Sequence, residues 1–236
     1  IKDAGVRLQG DVVFACVCDE EFGGHVGMRY IVDQGYCDTD YLLYASGGGE
    51  GKEIGIASNG RGIYRMTVRG RTEHTGRNDR GLNAGSKAAK LIERLEELRA
   101  DVNKRQLKFK VGNFEMEGKG RLSINLIDAY TTVNNVPDTC IVQVDRRLVP
   151  VAETYESGQA ELQAVVDKLR KEDPEFICDD VEWVPNRWMN FSVSVPDSPL
   201  VKACQRSVQK VLGFTPGVSN KSGSGSSDHG WYKLRY

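Results

Sequence analysis

Three adjacent carboxylates follow an apolar run near the start of the chain. The run covers residues 12–17, and Asp19, Glu20 and Glu21 come shortly after it. Like charges repel, so a buried segment that ends in three acids needs something to offset them. A divalent cation can do so, because one carboxylate can bind the ion while its neighbour takes a proton from water. A solvated turn that carries three acids is the other interpretation of this spacing.

The composition limits the class of protein. The 236 residues carry a formal net charge of −1, with 28% charged and 39% hydrophobic side chains, which indicates a folded globular chain. Near-neutral charge argues against nucleic acid as the main partner, and no apolar stretch approaches the about 20 residues that cross a membrane. The six cysteines include no CxxC pair, which is typical of reduced, buried thiols in a cytoplasmic protein.

The elements around the acids predict a parallel α/β sheet. Residues 10–19 and 40–44 read as fully buried strands, and residues 24–34 between them read as a short helix closed by Gly35. Strand, helix and strand in this order favour parallel pairing. Since ligands bind outside the carboxyl ends of parallel strands, the three acids would lie at the functional edge of this sheet.

The character of the chain changes near residue 58, where an antiparallel α+β module begins and continues to about residue 185. Period-two alternation predicts strands, and apolar residues at helical spacing predict long amphipathic helices. The predicted strands are 62–70, 106–111, 121–128, 139–148 and 177–183, and the predicted helices are 82–102 and 154–171. A proline-rich stretch then leads to a last helix at 200–213.

Five segments occur in an order that matches one known family. They are CDEEFGG, DYLLYASGGGE, VRGRTEHTGRNDRGLNA, VNNVPDTCIVQVDRR and SGSGSSDHG. This order resembles the metal-dependent family of acetylornithine deacetylase, succinyl-diaminopimelate desuccinylase, glutamate carboxypeptidase and peptidase T. The resemblance covers nearly the whole chain, and the first and third segments together are fairly specific.

The resemblance implies roles for individual residues. Glu20 matches the general base that deprotonates a bridging water, and Glu21 matches a metal ligand, whereas Asp19 is expected to be structural. His74 matches a histidine that reaches across a dimer and stabilises the oxyanion in the partner subunit. These roles favour the metal-site interpretation of the acids over the solvated turn.

The resemblance also implies a substrate site. Asn134 or Asn135 and Arg147 match groups that hold the substrate carboxylate, and the arginine fork suits that task because it pairs two oxygens. SGSGSSDHG matches a substrate-lining loop, although its composition alone is that of a flexible linker. His25 and His229 match no ligand position and are expected to be structural.

The sequence departs from the family pattern at several metal ligands. The family has a ligating histidine and a bridging aspartate before the D-E-E segment and a last histidine after the Gly-rich loop, and this sequence lacks all three. Ser46 stands near the place of a further ligating carboxylate, so Asp40 or Glu50 is a substitute by proximity only. We therefore expect a fragment that is inactive alone.

The combined prediction is an α/β catalytic domain with a parallel-type central sheet, discontinuous over residues 1–57 and 186–236, with an inserted α+β lid and dimerisation domain at 58–185. The intact enzyme would be a homodimer that uses two zinc or cobalt ions to hydrolyse N-acyl amino acids or short peptides, without nucleic acid or membrane partners. Two alternatives stay open: a metal-free, non-catalytic homologue, and a free-standing α+β module that dimerises or binds small ligands.

Overall fold

The structure is a computed structural model that describes residue 5, residues 7–44 and residues 51–235. The strands are β1 (Glu53–Ile54), β2 (Ala57–Ser58), β3 (Gly60–Arg69), β4 (Leu107–Val111), β5 (Phe114–Gly118), β6 (Arg121–Asp128), β7 (Thr139–Leu148), β8 (Ile177–Cys178), β9 (Glu182–Trp183), β10 (Ser192–Val193) and β11 (Gly217–Val218). The α-helices are α1 (Met28–Asp33), α2 (Ala84–Lys104), α3 (Tyr155–Glu172), α4 (Pro199–Leu212) and α5 (His229–Arg235), and short 3-10 helices cover Glu20–Phe22 and Thr75–Arg80.

An antiparallel sheet forms the centre of the molecule. Its strand order is β6-β7-β3-β8, and β9 also pairs with β3. The long pair β3 and β7 runs in register from Arg61 opposite Arg147 to Arg69 opposite Thr139. Side chains alternate between the two faces of a strand, so Tyr64 and its period-two neighbours on β3 face the core, while Arg61 and its period-two neighbours face the other side.

Helices α2 and α3 cover one face of this sheet. The apolar stripe of α2 places Ala88, Leu91 and Leu95 in the buried core, as the helical spacing predicts. Both helices begin at side-chain caps: Asn83 Oδ1 accepts from the Ser86 amide at 3.0 Å, and Thr154 forms a reciprocal capping box with Ser157.

A buried ion cluster ties α3 to the sheet. Arg146 on β7 faces the helices, and its guanidinium pairs with Glu153 and with Glu161, the latter at 3.1 Å. The side chain is 1% exposed, so both partners are needed to offset the cost of removing its charge from water. Arg105 at the end of α2 also pairs with Glu161, which links both helices to the same cluster.

A second, smaller layer flanks the sheet. Helices α1 and α5 pack together around Met28, Val32 and Trp231, and a further cluster of buried residues surrounds Ile56 and Val201. Short pairs connect distant parts of the chain: β1 pairs with β11 in parallel, and β2 pairs with β10 antiparallel. Within the described residues, no helix has the length and apolar character that a membrane crossing requires.

The mixed α/β class and most predicted elements are confirmed. The predicted strands at 121–128 and 139–148 agree with β6 and β7, the helix of residues 24–34 contains α1, and the last helix coincides with α4. The strand predicted at 177–183 is split into β8 and β9. Helix α5, strand β5 and the two-residue strands β1, β2, β10 and β11 were not predicted. The boundaries after residues 57 and 185 stay predictions.

Two predicted strands are wrong. Residues 11–17 and 41–44 form no strand, and much of their apolar surface is exposed, with Phe14 82% accessible. A strand is stable only when a neighbour pairs with its amide and carbonyl groups, and no described segment pairs with either run. The parallel pairing expected between these runs is therefore not seen in this part of the chain.

Candidate active site

The D-E-E segment forms a tight turn held by its first acid. Asp19 adopts a left-handed conformation with φ of 71°, and its carbonyl accepts from the amides of Phe22 at 3.1 Å and Gly24 at 2.8 Å. Its carboxylate accepts from the Val26 amide at 3.1 Å. These bonds suit the structural role expected for Asp19. They leave Glu20, which is half-buried, and the exposed Glu21 as the acids available for chemistry.

The Gly/Ser loop packs directly against this turn. Asp228 is 6% exposed, and a methyl group at Gly24, which has φ of +68°, would overlap its carboxylate. Only glycine accommodates both the conformation and the contact. Burial, together with the charges of Glu20 and Asp19, raises the pKa of Asp228 to about 6. The Gly/Ser loop therefore adds a fourth acid, Asp228, to the three acids of the turn. Asp228 was not predicted as a site residue from the sequence.

Arg61 lies among these acids at the start of β3. It is 7% exposed, and the charges of Asp145, Glu20 and Glu21 act on it favourably. Burial and the neighbouring Arg147 lower its pKa. Arginine nevertheless stays protonated at neutral pH, so a buried cation faces the D-E-E turn. Arg61 was not predicted from the sequence, where the only signal was a charged side chain at the start of a strand.

Arg147 connects the sheet to the Gly/Ser loop. Its Nε and Nη2 donate to the two Asp145 oxygens at 2.7 and 3.0 Å, and its Nη1 donates to Ser226 Oγ at 2.8 Å. The structure thus brings Arg147, the loop and the D-E-E turn to one end of β3. That SGSGSSDHG lines a substrate site stays a prediction. The alternative of a flexible linker fits poorly, because Ser227 and Asp228 are buried.

The two histidines that match no ligand position have neighbours of other kinds. The His25 ring lies edge-on to Trp188 and Trp231, with ring centroids 5.8 and 4.7 Å away, and its Nδ1 accepts from Arg29 at 2.8 Å. Burial, with a smaller contribution from Arg29, lowers the pKa of His25. His229 Nε2 lies 2.7 Å from Ser58 Oγ, and burial lowers its pKa too. These contacts agree with structural roles.

His74 lies at the opposite end of β3 with both predicted asparagines. It caps the short helix Thr75–Arg80 through Nδ1, which accepts from the Gly76 amide at 3.1 Å. It pairs with Asn135, and the Thr75 amide donates to the Asn134 carbonyl at 2.8 Å. Ten residues of β3 separate this loop from the start of the strand, a span of about 30 Å. The predicted residues therefore fall into two groups at opposite ends of one strand.

The described residues do not fit a metal centre by themselves. Among residues 5, 7–44 and 51–235, no group of three or more histidine, cysteine, aspartate or glutamate side chains is arranged to hold an ion. Asp40 is exposed, next to Thr39, whose hydroxyl lies 3.0 Å from that of Tyr232. Ser46 and Glu50 fall outside the described residues. Glu21 thus remains a single predicted ligand without a described companion.

Comparison with known proteins shows the family. Residues 56–175 match the model of the peptidase dimerisation domain of M20 proteins, and this range contains strands β3, β6 and β7 of the central sheet together with α2 and α3. The chain belongs to the M20 family of metallopeptidases and amidohydrolases. This confirms the family that the five sequence segments indicated, and it identifies the central module as a dimerisation domain.

Solved structures of several peptidases share the fold of the chain. Aminopeptidase PepT from Bacillus cereus is 21% identical with a TM-score of 0.62, over 93% of this chain and 52% of that protein. A tripeptidase from Staphylococcus aureus is 16% identical with a TM-score of 0.60, over 90% and 51%. The dipeptidase Dug1p from Saccharomyces cerevisiae is 14% identical with a TM-score of 0.55, over 76% and 46%. The chain, a member of the M20 family, spans about half the length of each of these three proteins.

Proposed function

We propose that the full-length protein hydrolyses the amide bond of N-acyl amino acids or short peptides that carry a free carboxylate. The observation that carries this proposal is the convergence of the D-E-E turn, the Gly/Ser loop and two arginines at one end of β3, in a chain with a peptidase dimerisation domain. Acids beside a buried cation suit a reaction that moves protons and binds an anionic substrate.

Glu20 is the proposed general base. Its half-buried carboxylate takes a proton from the attacking water as the water oxygen bonds to the amide carbon. The C–N bond then breaks, and the same proton passes to the leaving nitrogen, so that the products are a carboxylic acid and an amine. Asp19 holds the turn in place through its bond to the Val26 amide and does not need to exchange protons.

His74 is proposed to act in the active site of a second subunit of a homodimer. A strand span of about 30 Å separates it from the Arg61 end of β3, so a direct contact with the Glu20 turn of its own chain is not expected. A dimer brings the His74 loop of one subunit to the turn of the other, where the histidine stabilises the oxyanion. Asn134 and Asn135 lie in the same loop region and would cross with it, while Arg147 stays with the turn.

Zinc or cobalt is the proposed cofactor, since the family is generally metal-dependent. The described residues provide Glu21, with Asp40 as a predicted second ligand that is exposed in the structure. These two residues do not form a complete ligand set, and the described part of the chain contains no other group of side chains arranged to hold an ion.

Replacing Glu20 with glutamine in the full-length protein tests this proposal. Glutamine keeps the shape of the side chain but takes no proton, so hydrolysis of N-acetyl-L-alanine should fall by about 100-fold or more while bound metal, measured by elemental analysis, is unchanged. Glu93→Gln, at an exposed position of α2, is the matched control and should leave turnover intact. Loss of metal together with activity would make Glu20 a ligand instead of the base.

A metal-free, non-catalytic homologue is the second candidate. The observation that favours it is Ser46, which stands where the family pattern has a ligating carboxylate. Such a protein would bind acylated amino acids without cleaving them. Elemental analysis of the full-length protein decides between the two: two tightly held ions per subunit exclude this candidate, and none after dialysis against zinc supports it.

A further inference from the structure

The loop that carries His74 contains a carboxylate without a predicted role. Glu73 directly precedes the histidine, and its side chain is only 22% exposed, although the turn lies at the surface. Its backbone carbonyl accepts from the Val136 amide at 2.8 Å, and a Cβ added at Gly81 would lie 3.2 Å from the Glu73 Cβ. Contacts with two other segments therefore hold Glu73 in place.

One oxygen of Glu73 closes the turn around the histidine. Its Oε1 accepts from the His74 amide at 2.9 Å, and from Nε and Nη2 of Arg77 at 3.1 and 3.0 Å. The bond from the His74 amide, followed by the bond from Arg77, lowers the pKa of the Glu73 carboxyl, so the group is charged at neutral pH. Hydrogen bonds to a charged acceptor are stronger than neutral ones, so this oxygen ties the two ends of the turn together.

The histidine ring is oriented by the same turn. His74 Nδ1 accepts from the Gly76 amide at 3.1 Å, so the proton of the neutral ring is on Nε2, the nitrogen that can face a second subunit. The Thr75 amide donates to the Asn134 carbonyl at 2.8 Å. Three successive amides of the turn thus each have an acceptor, and the acceptor of the first is the Glu73 carboxylate.

We propose that Glu73 is a positioning residue that holds His74 in the geometry required for its role in the active site of the second subunit. This inference rests on the proposed function and deepens it, because it names what fixes the histidine. A donor stabilises an oxyanion only at hydrogen-bond distance from the developing charge, and a misplacement of about 1 Å can cost on the order of 100-fold in rate. His74 is exposed, so the bonds from Glu73 and Gly76 replace the packing that would fix a buried ring.

An ordinary surface ion pair is the alternative interpretation of Glu73 and Arg77. Arg77 is 61% exposed, and exposed pairs contribute little to stability. The bond to the His74 amide distinguishes Glu73 from such a pair, because it connects the carboxylate to the backbone of the histidine itself. The two interpretations differ in a measurable way: a positioning residue has no effect on catalysis once the histidine is absent.

A double-mutant cycle on the full-length protein makes this measurement. Glu73→Ala should lower kcat for N-acetyl-L-alanine by about tenfold with KM unchanged, because the oxyanion contact forms only in the transition state. Glu73→Gln keeps an oxygen for the His74 amide without the charge, and it should recover part of the rate. In the His74→Ala background, Glu73→Ala should have no further effect. Glu97→Gln, which breaks an exposed pair with Arg94 on α2, is the matched control and should leave kcat intact.

Mixed dimers locate the effect. Glu73→Ala mixed in equal amounts with Glu20→Gln should recover about a quarter of the wild-type rate, because one site of the mixed dimer has both an intact Glu20 and an intact His74 loop. Glu73→Ala mixed with His74→Ala should recover nothing, because both changes affect the same loop. The inference is overturned if the effect of Glu73→Ala persists in full in the His74→Ala background, or if His74→Ala restores the rate and Glu20→Gln does not.

Hydrogen exchange of the full-length protein tests the turn without any need for turnover. Glu73→Ala should speed the exchange of a peptide covering residues 72–78 at least about tenfold, and Glu97→Gln should leave it unchanged. Faster exchange in Glu73→Ala, with no hydrolysis by the metal-loaded wild type, overturns the proposed hydrolase activity alone. Hydrolysis by the wild type, with unchanged kcat in Glu73→Ala, overturns the role of Glu73 alone.

Discussion

Arg61 and Arg146 lie on neighbouring strands of one sheet, and both are almost fully buried, at 7% and 1% exposure. They face opposite sides. Arg146 faces α2 and α3, where Glu153 and Glu161 pair with it, while Arg61 faces the D-E-E turn and has no ion-pair partner among the described residues. The buried charge on the helix side of the sheet is thus paired, whereas the buried charge on the turn side has no ion-pair partner in the described part of the chain.

The difference separates a scaffold from a site. In the dimerisation domain, capped helices, an apolar core and a paired buried ion cluster all favour one rigid arrangement. Where the sheet meets the flanking layer, a buried cation that has no ion-pair partner among the described residues, a raised carboxyl pKa and a left-handed Asp19 are retained at a cost in stability. Groups that lower the stability of the fold without stabilising contacts of their own are available to bind a ligand. The contrast between the two regions predicts four measurable differences in stability.

The largest loss of stability is expected at the buried ion cluster of Arg146. Arg146→Met removes the cation, which leaves the largely buried Glu153 without its ion-pair partner and Glu161 with Arg105 alone, so the free energy of unfolding should fall by about 3–5 kcal/mol. Chemical denaturation followed by circular dichroism measures this. A loss below about 1 kcal/mol would mean that the cluster is not a tight pair, and the contrast with Arg61 would disappear.

The next largest loss of stability is expected at Gly24, which lies close to the Asp228 carboxylate. Gly24→Ala imposes a left-handed alanine and an overlap with Asp228, and it should cost about 2–4 kcal/mol. The matched control is Gly213→Ala, which has φ of +80° with nothing within 4 Å and should cost only about 1 kcal/mol. Hydrogen exchange of residues 19–34 would show whether the turn opens. Equal costs for the two variants would contradict the packing of the loop against the turn.

Asp228 should make stability depend on pH. Its pKa rises from an ordinary value of 3.8 to about 6 in the folded protein, so the folded state holds the proton more tightly than the unfolded state. The stabilisation is complete below pH 4 and is lost as pH rises to about 6, a change of about 1–3 kcal/mol. Asp228→Asn should remove this dependence. An unchanged difference between pH 4 and pH 7 in the variant would assign it to another group.

The smallest change in stability is expected at Arg61. Arg61→Gln removes a buried charge for which the described part of the chain provides no ion-pair partner, so the free energy of unfolding should stay the same or rise by up to about 1 kcal/mol. The same denaturation assay used for Arg146→Met measures it. A loss of 3 kcal/mol or more would show that Arg61 is paired in the native protein, as Arg146 is, and would contradict the contrast between the two sides of the sheet.

Elements with a clear period were predictable from the sequence. The stripe of Leu91 and Leu95 and the alternation in β7 each specify one structure locally, because their apolar residues fit one face of a core formed within the module. The apolar runs at 12–17 and 41–44 have no such local partner. Their apolar content indicated burial in a sheet, but a strand also needs a neighbour, which sequence patterns do not reveal.

Residues of the candidate site were predictable from the sequence only where they belong to a recognisable motif. Glu20, Glu21 and His74 stand in motifs that resemble a family, although their roles stay predictions. Arg61 and Asp228 belong to the same region through long-range packing, across intervals of about forty residues or more from Glu20 along the chain, and no local pattern reports such contacts.

Complementation between subunits tests most directly the claim that the two ends of β3 work together across a dimer. Full-length Glu20→Gln and His74→Ala are each prepared and then mixed in equal amounts, with subunit exchange verified by mass spectrometry. Only the mixed dimer contains one site with both groups intact, so hydrolysis of N-acetyl-L-alanine should return to about a quarter of the wild-type rate. A mixture as inactive as its two parents, with exchange complete, would contradict the account.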